Sequence, residues 1–166
     1  MLILITGLPG AGKTTFAIAL ANACAAIHLN TDRVRAKLGL RGHYDRKSKK
    51  KVYTCLLSML ESQLQAGKDA IVDATLYQKE VRMPFTELAA RYHTPVKWIE
   101  IRAEEPVIRQ RLQSKRPFSE ADFQVYLKIK TIYEPLQFPH LILYSDARPL
   151  EELLDEALSY LEMSRQ

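Results

Sequence analysis

The chain is poor in cysteine and in long apolar runs, and each shortage removes a class of protein. Its two cysteines, Cys24 and Cys55, lack metal-ligand spacing and fall in helical-looking segments, which argues against a disulfide framework and predicts buried, reduced thiols. No stretch approaches the ~20 apolar residues that a membrane span needs. The N-terminal apolar run is too short for a signal peptide and passes directly into a glycine loop. A soluble protein in a reducing cytoplasm, with no membrane partner, is the expectation. Internal repeats and low-complexity linkers are also missing, so residues 1–166 read as one domain, and 47% apolar content is enough for a real core.

Against this background the run Gly7-Leu8-Pro9-Gly10-Ala11-Gly12-Lys13-Thr14 fits Gly-x4-Gly-Lys-Ser/Thr without a mismatch. The β-branched stretch Leu2 to Ile5 precedes it as a strand, and the alanine-rich Phe16 to Ala23 follows as a helix. Strand, loop and helix is the order a phosphate-binding loop needs. Gly7, Gly10 and Gly12 let the backbone approach phosphate, and the N–H groups from there through Ala11 converge on one anion at a helix N-terminus. Lys13 is placed for the β- and γ-phosphates, Thr14 for Mg²⁺ and Thr15 for the α-phosphate. The expected ligands are therefore ATP and Mg²⁺.

Strand and helix signals alternate along the rest of the chain, predicting an α/β fold with a five-stranded parallel sheet between helices. Expected strands are 2–5, 26–29, 69–73, 95–101 and 141–144. Expected helices start at Thr31, capped by Thr31 or Asn30, and run over 51–66, over 79–92 with an early interruption at Pro84, over 104–115, over 119–133 with Ser119 as cap, and over 150–163.

Residues just beyond the carboxyl ends of parallel strands face the ligand crevice. Asp32 and Arg35 follow the second strand on one helix face, so Asp32 can accept a hydroxyl proton and Arg35 can hold an acceptor anion or orient the aspartate. Asp73 ends the third strand, where it can hold Mg²⁺ through water or anchor an arginine. Arg82 lies after that strand and can meet substrate or solvent. Arg109, Arg111, Lys115 and Arg116 gather at a helix end and the turn after it, suited to phosphate contacts, with Arg111 assigned to the nucleotide.

Net charge is +5, which favours anionic partners. The cluster Arg46, Lys47, Lys49, Lys50 and Lys51 reads either as a solvated helix face or as a nucleic-acid contact. Aromatic interleaving is limited to Tyr44 and Tyr53, which argues against a pure nucleic-acid-binding module.

Taken together, Gly7 to Thr15, Asp32-x-x-Arg35, Val72-Asp73-Ala74-Thr75 with Arg82, and the arginine-bearing segment through Arg116 resemble the small P-loop kinases. That group includes polynucleotide 5′-hydroxyl kinase, gluconate-kinase-like enzymes, antibiotic phosphotransferases and zeta-toxin-like kinases. The resemblance implies a mobile lid over residues 109–122 and transfer of the ATP γ-phosphate to a hydroxyl acceptor. Asp32-x-x-Arg35 looks most like the polynucleotide-kinase pattern, which implies Asp32 as general base and Arg35 on the acceptor, with Asp73 supporting Arg35 and Arg116 on the ATP phosphates. A small metabolite, nucleotide sugar or antibiotic is the alternative acceptor. A regulatory ATPase that hydrolyses ATP without an acceptor is the alternative of a different class.

Overall fold

Leu2–Thr6 (β1) is buried at every position and forms the middle of a five-stranded parallel sheet. Ile27–Asn30 (β2), Ala70–Asp73 (β3), Val96–Arg102 (β4) and Leu141–Tyr144 (β5) complete it in the order β2-β3-β1-β4-β5. The structure is a computed structural model and describes residues 1–114 and 121–162. The helices are Lys13–Cys24 (α1), Thr31–Lys37 (α2), Arg46–Gln65 (α3), Lys79–Arg91 (α4), Glu105–Gln113 (α5), Phe123–Ile132 (α6) and Leu150–Glu162 (α7).

Alternation along the strands builds a core on each face of the sheet. Leu2, Leu4, Ala70, Val72 and Trp98 meet Val52, Leu56, Leu60 and Leu64 of α3 and Phe85, Leu88 and Ala89 of α4. Ile3, Ile5, Ile71, Ile99 and Ile101 meet Phe16, Ala17 and Leu20 of α1 and Leu153, Ala157 and Leu161 of α7. Thus α1, after β1, covers one face, and α4, after the adjacent β3, covers the other. Neighbouring strands that send the chain to opposite faces open a crevice at their carboxyl ends. The register Ile5↔Asp73 and Asn30↔Asp73 brings Asp73 and Asn30 to that edge beside the glycine loop. A third, small cluster of Ile108, Leu112 and Tyr126, with Leu8 packed against it, seats α5 and α6 on the loop.

Helices α3, α4 and α6 depart most from the sequence expectation. Helix α3 begins at Arg46 rather than residue 51, because Asp45 caps it through the Ser48 N–H (3.0 Å) and hydroxyl (2.6 Å). The basic cluster therefore occupies its first turns, with no acidic residue in the first turn and the Asp45 cap just before it. Each such charge opposes the helix dipole by roughly 0.3 kcal/mol or more. Helix α4 runs through Pro84 without a break: the proline removes one donor, and the Glu80 it would have met is exposed to water. Helix α6 takes Asp122 as its cap, through the Val125 N–H (2.9 Å), and the expected cap Ser119 lies outside the described residues. Cys24 and Cys55 are free thiols, half-buried rather than fully buried. Among the described residues no helix is long and apolar enough to cross a membrane.

Candidate active site

The glycine loop leaves β1 at Gly7, where φ is +139° and a Cβ would stand 2.2 Å from the carbonyl oxygen of Ile101. Only glycine fits so close to a neighbouring strand's backbone. At the other end Gly12, with φ +97°, is the residue from which α1 starts, so the N–H groups there point into the crevice. Ala11 is buried and its carbonyl accepts from the Ser145 hydroxyl at 2.6 Å. The Arg111 guanidinium donates to that hydroxyl at 2.8 Å, to the Ser145 carbonyl at 3.1 Å and to the Gly10 carbonyl at 3.4 Å. Arg111, on α5, and Ser145, just after β5, thus brace the loop together. Lys13 Nζ donates to the Leu8 carbonyl at 3.0 Å across the loop's own span, and Thr15 is exposed at the start of α1.

Asp73 is 1% exposed. Its Oδ2 accepts from Asn30 Nδ2 at 2.7 Å and lies 3.3 Å from His28 Nε2, while Asn30 Nδ2 also lies 3.5 Å from Thr14 Oγ1. Burial alone would raise the Asp73 carboxyl, but the His28 contact, the Lys13 charge and the Thr14 hydroxyl outweigh it and hold it below the usual carboxylate range. Its other oxygen, Oδ1, is buried without a hydrogen-bond partner. An ionised carboxylate with an orphaned oxygen beside a threonine hydroxyl fits Mg²⁺ held with water and phosphate ligands. Among the described residues no group of three or more His, Cys, Asp or Glu could hold a metal by itself. The remaining ligands of a cation here must come from phosphate and solvent.

Asp32 and Arg35 both lie on α2, whose cap is Asn30 through the Arg33 N–H at 2.9 Å. Asp32 is half-buried. Arg35 is 6% exposed, donates to the His43 carbonyl and lies over the Tyr44 ring at 4.4 Å, with its Nε buried and unpartnered. Burial pushes the Tyr53 phenol up; Tyr77 and Asp32 push the same way and Arg35 opposes them, which puts these four groups in one electrostatic neighbourhood.

A protein-family model described as AAA domain matches residues 2–136. The chain belongs to that family. No curated protein sequence matches this AAA domain. Solved structures share its fold: APS kinase from Mycobacterium tuberculosis, in complex with AMPPNP and APS, superposes with TM-score 0.73 at 18% identity, covering 97% of this chain and 96% of that one. Kti12 from Chaetomium thermophilum, in complex with ADP-AlF3, gives TM-score 0.74 at 21% identity over 96% and 98%. A gluconokinase from Sinorhizobium meliloti gives 0.71 at 17% over 97% and 91%. These likenesses place the AAA domain in the fold of the small P-loop kinases.

Two expected contacts do not form in this AAA domain. Asp73 is held by Asn30 and His28 and does not reach Arg35, which turns to the loop after α2 instead. Arg82, expected at the substrate or the surface, is 7% exposed and donates to the backbone carbonyls of Leu76 (2.6 Å) and Glu134. It ties the segment after β3 to the segment after α6. Arg109 lies over the Phe123 ring at 3.9 Å, between α5 and α6. Arg116 lies outside the described residues.

The sequence reading missed Asn30 as a side-chain partner, His28, Ser145 and Glu100. Glu100, on β4 in register with Thr6, is 4% exposed and accepts from Arg102 at 2.6 Å and from Tyr133 at 2.9 Å, with His140 at 3.2 Å. An acidic residue inside an otherwise apolar strand was the available signal for it.

Proposed function

We propose that the protein is an ATP- and Mg²⁺-dependent phosphotransferase acting on a hydroxyl acceptor, the 5′-hydroxyl end of a polynucleotide, in a reducing cytoplasm. The observation that carries this reading is the common edge of the sheet: Thr14, Asn30 and Asp73 stand in one polar chain, and Asp32 follows Asn30 by two residues on the helix that Asn30 caps.

Gly10, Gly12 and the first N–H groups of α1 hold the phosphates, with Lys13 turning from the Leu8 carbonyl to the β- and γ-phosphates. Thr14 and Asp73 would hold Mg²⁺, which neutralises charge on the phosphate oxygens when bound. The acceptor oxygen attacks the γ-phosphorus, the bond from that phosphorus to the β–γ bridging oxygen breaks, ADP leaves, and the hydroxyl proton passes to Asp32. Arg35 positions the acceptor and Arg111 keeps the loop in shape around the nucleotide. Leu8 packs against the α5–α6 pair, which supports a lid over residues 109–122 that closes on the site and excludes water.

The test is incubation with γ-labelled ATP and a panel of 5′-hydroxyl oligonucleotides, nucleosides, sugars and aminoglycosides. Label on the oligonucleotides supports the assignment, and label on a small molecule instead moves the acceptor to that class. Steady hydrolysis with no labelled acceptor overturns the kinase reading in favour of a regulatory ATPase. Asp32→Asn should keep nucleotide affinity and lose at least ~100-fold in transfer.

A further inference from the structure

Positive charge is unevenly distributed over the chain. Residues 31–51, which form α2, the following loop and the first turns of α3, hold nine basic side chains against two acidic, while the rest of the chain holds fifteen basic against seventeen acidic. The whole net charge therefore originates from one continuous stretch. Arg33, Lys37, Arg41, Arg46, Lys47, Lys50 and Lys51 in it are exposed. Of its two acids, Asp45 is exposed with its carboxylate engaged by Ser48 as the cap of α3, and Asp32 belongs to the candidate active site.

A purely solvating helix face does not account for this pattern. Solvation is satisfied by mixed charges, yet the cations sit in the first turns of α3, where the helix dipole already opposes them, without an acidic residue in that turn. A polyanion bound across these turns would remove both the mutual repulsion and the conflict with the dipole. The stretch also begins at the acceptor residues: Arg35 donates to His43 and covers Tyr44, whose ring stays 44% exposed, so the charged surface is latched to the proposed acceptor site.

We propose that this face docks the phosphate backbone of a single-stranded nucleic acid, Lys47, Lys50 and Lys51 taking phosphates next to the reacting end and Tyr44 offering a face for a base. The proposal rests on the polynucleotide-acceptor reading above and adds the surface that would hold such an acceptor. Single-strand sites combine a cationic track with an aromatic stacking face, and both elements are present here side by side. An anionic membrane surface would match the charge too, and the vesicle comparison below decides against or for it.

The experiment measures fluorescence anisotropy of a labelled 5′-hydroxyl oligonucleotide of about 16 nucleotides, bound by the full chain over about 50 to 200 mM salt. It compares wild type with Lys47→Gln/Lys50→Gln/Lys51→Gln, with Tyr44→Ala, and with a control of equal charge loss elsewhere, Lys68→Gln/Arg91→Gln/Lys97→Gln. Affinity of the first triple variant should fall at least ~10-fold and its log–log salt slope by about 2, while binding of a fluorescent ATP analogue is unchanged. Tyr44→Ala should weaken binding about 10-fold. Equal losses in the control triple, or tighter binding to anionic phospholipid vesicles than to the oligonucleotide, overturn the proposal. The two readings fail separately. An oligonucleotide that binds with this slope but gains no phosphate removes the acceptor assignment and leaves the surface. One that is phosphorylated with unchanged KM by the first triple variant removes the surface and leaves the assignment.

Discussion

Asn30 joins Asp73 to α2 with the two ends of one amide: Nδ2 donates to Asp73 Oδ2 at 2.7 Å, and Oδ1 accepts the Arg33 N–H at 2.9 Å. The carboxylate proposed to hold Mg²⁺ and the helix proposed to carry the base thus share a side chain. The two roles separate by substitution. Asn30→Ser retains a good cap and loses the reach to the buried Asp73 carboxylate, so stability should fall by about 1–3 kcal/mol, while Mg²⁺ affinity falls 10–100-fold, on the order of losses at groups that orient metal ligands. Mg²⁺ titrations of nucleotide binding, beside urea melts, check this. Loss of stability with Mg²⁺ affinity unchanged would confine Asn30 to capping.

The loop was legible because its information is local: eight consecutive residues specify turn, anion cradle and helix start. The place of Asp32 and Arg35 on the helix after β2 was legible, since they follow a strand whose end is marked. The brace under the loop was not, because Ser145 lies 134 residues from the Ala11 carbonyl it serves. Arg82 looked like a site residue by the same positional logic that put Asp32 forward. Its partners are main-chain carbonyls brought near only by the fold. The apolar spacing marks α3 only from residue 51, and the first turns before it are fixed by Asp45 through two cap hydrogen bonds.

Gly7 admits no side chain. A methyl there meets the Ile101 carbonyl at 2.2 Å, and backbone on a central strand cannot step aside. Gly7→Ala should cost at least ~3 kcal/mol, overpacking and positive φ acting together. Gly67 also has positive φ but nothing within 4 Å, so Gly67→Ala should cost about 1 kcal/mol. Equal losses in urea melts of the two variants would show that the sheet relaxes at Ile101.

Arg82→Met keeps much of the stem and removes the donors to Leu76 and Glu134. Leaving those carbonyls short of a partner should cost about 2–3 kcal/mol. With substrate at saturation and temperature well below melting, kcat and acceptor KM should stay within about 2-fold of wild type, since the guanidinium is spent on backbone. A selective rise in acceptor KM at unchanged melting temperature would return Arg82 to the substrate site.

Glu100 sets an acid limb of stability. Burial raises its carboxyl, but hydrogen bonds from Arg102, Tyr133 and His140 and the Arg102 charge together hold it below the ordinary value of 4.5. Because the folded value lies below the unfolded one, the ionised form favours the fold. That contribution is complete above the unfolded value and is lost as pH falls through the folded one. Glu100→Gln keeps the shape without the charge, so it should be less stable than wild type by about 2 kcal/mol near neutrality. The gap should narrow as pH falls from about 5, where wild type takes up the proton that the glutamine cannot. Urea melts of both proteins across that range measure it. A gap that stays constant down to pH 3 would mean that the carboxyl is protonated in the fold throughout, and that Arg102 finds its counter-charge elsewhere.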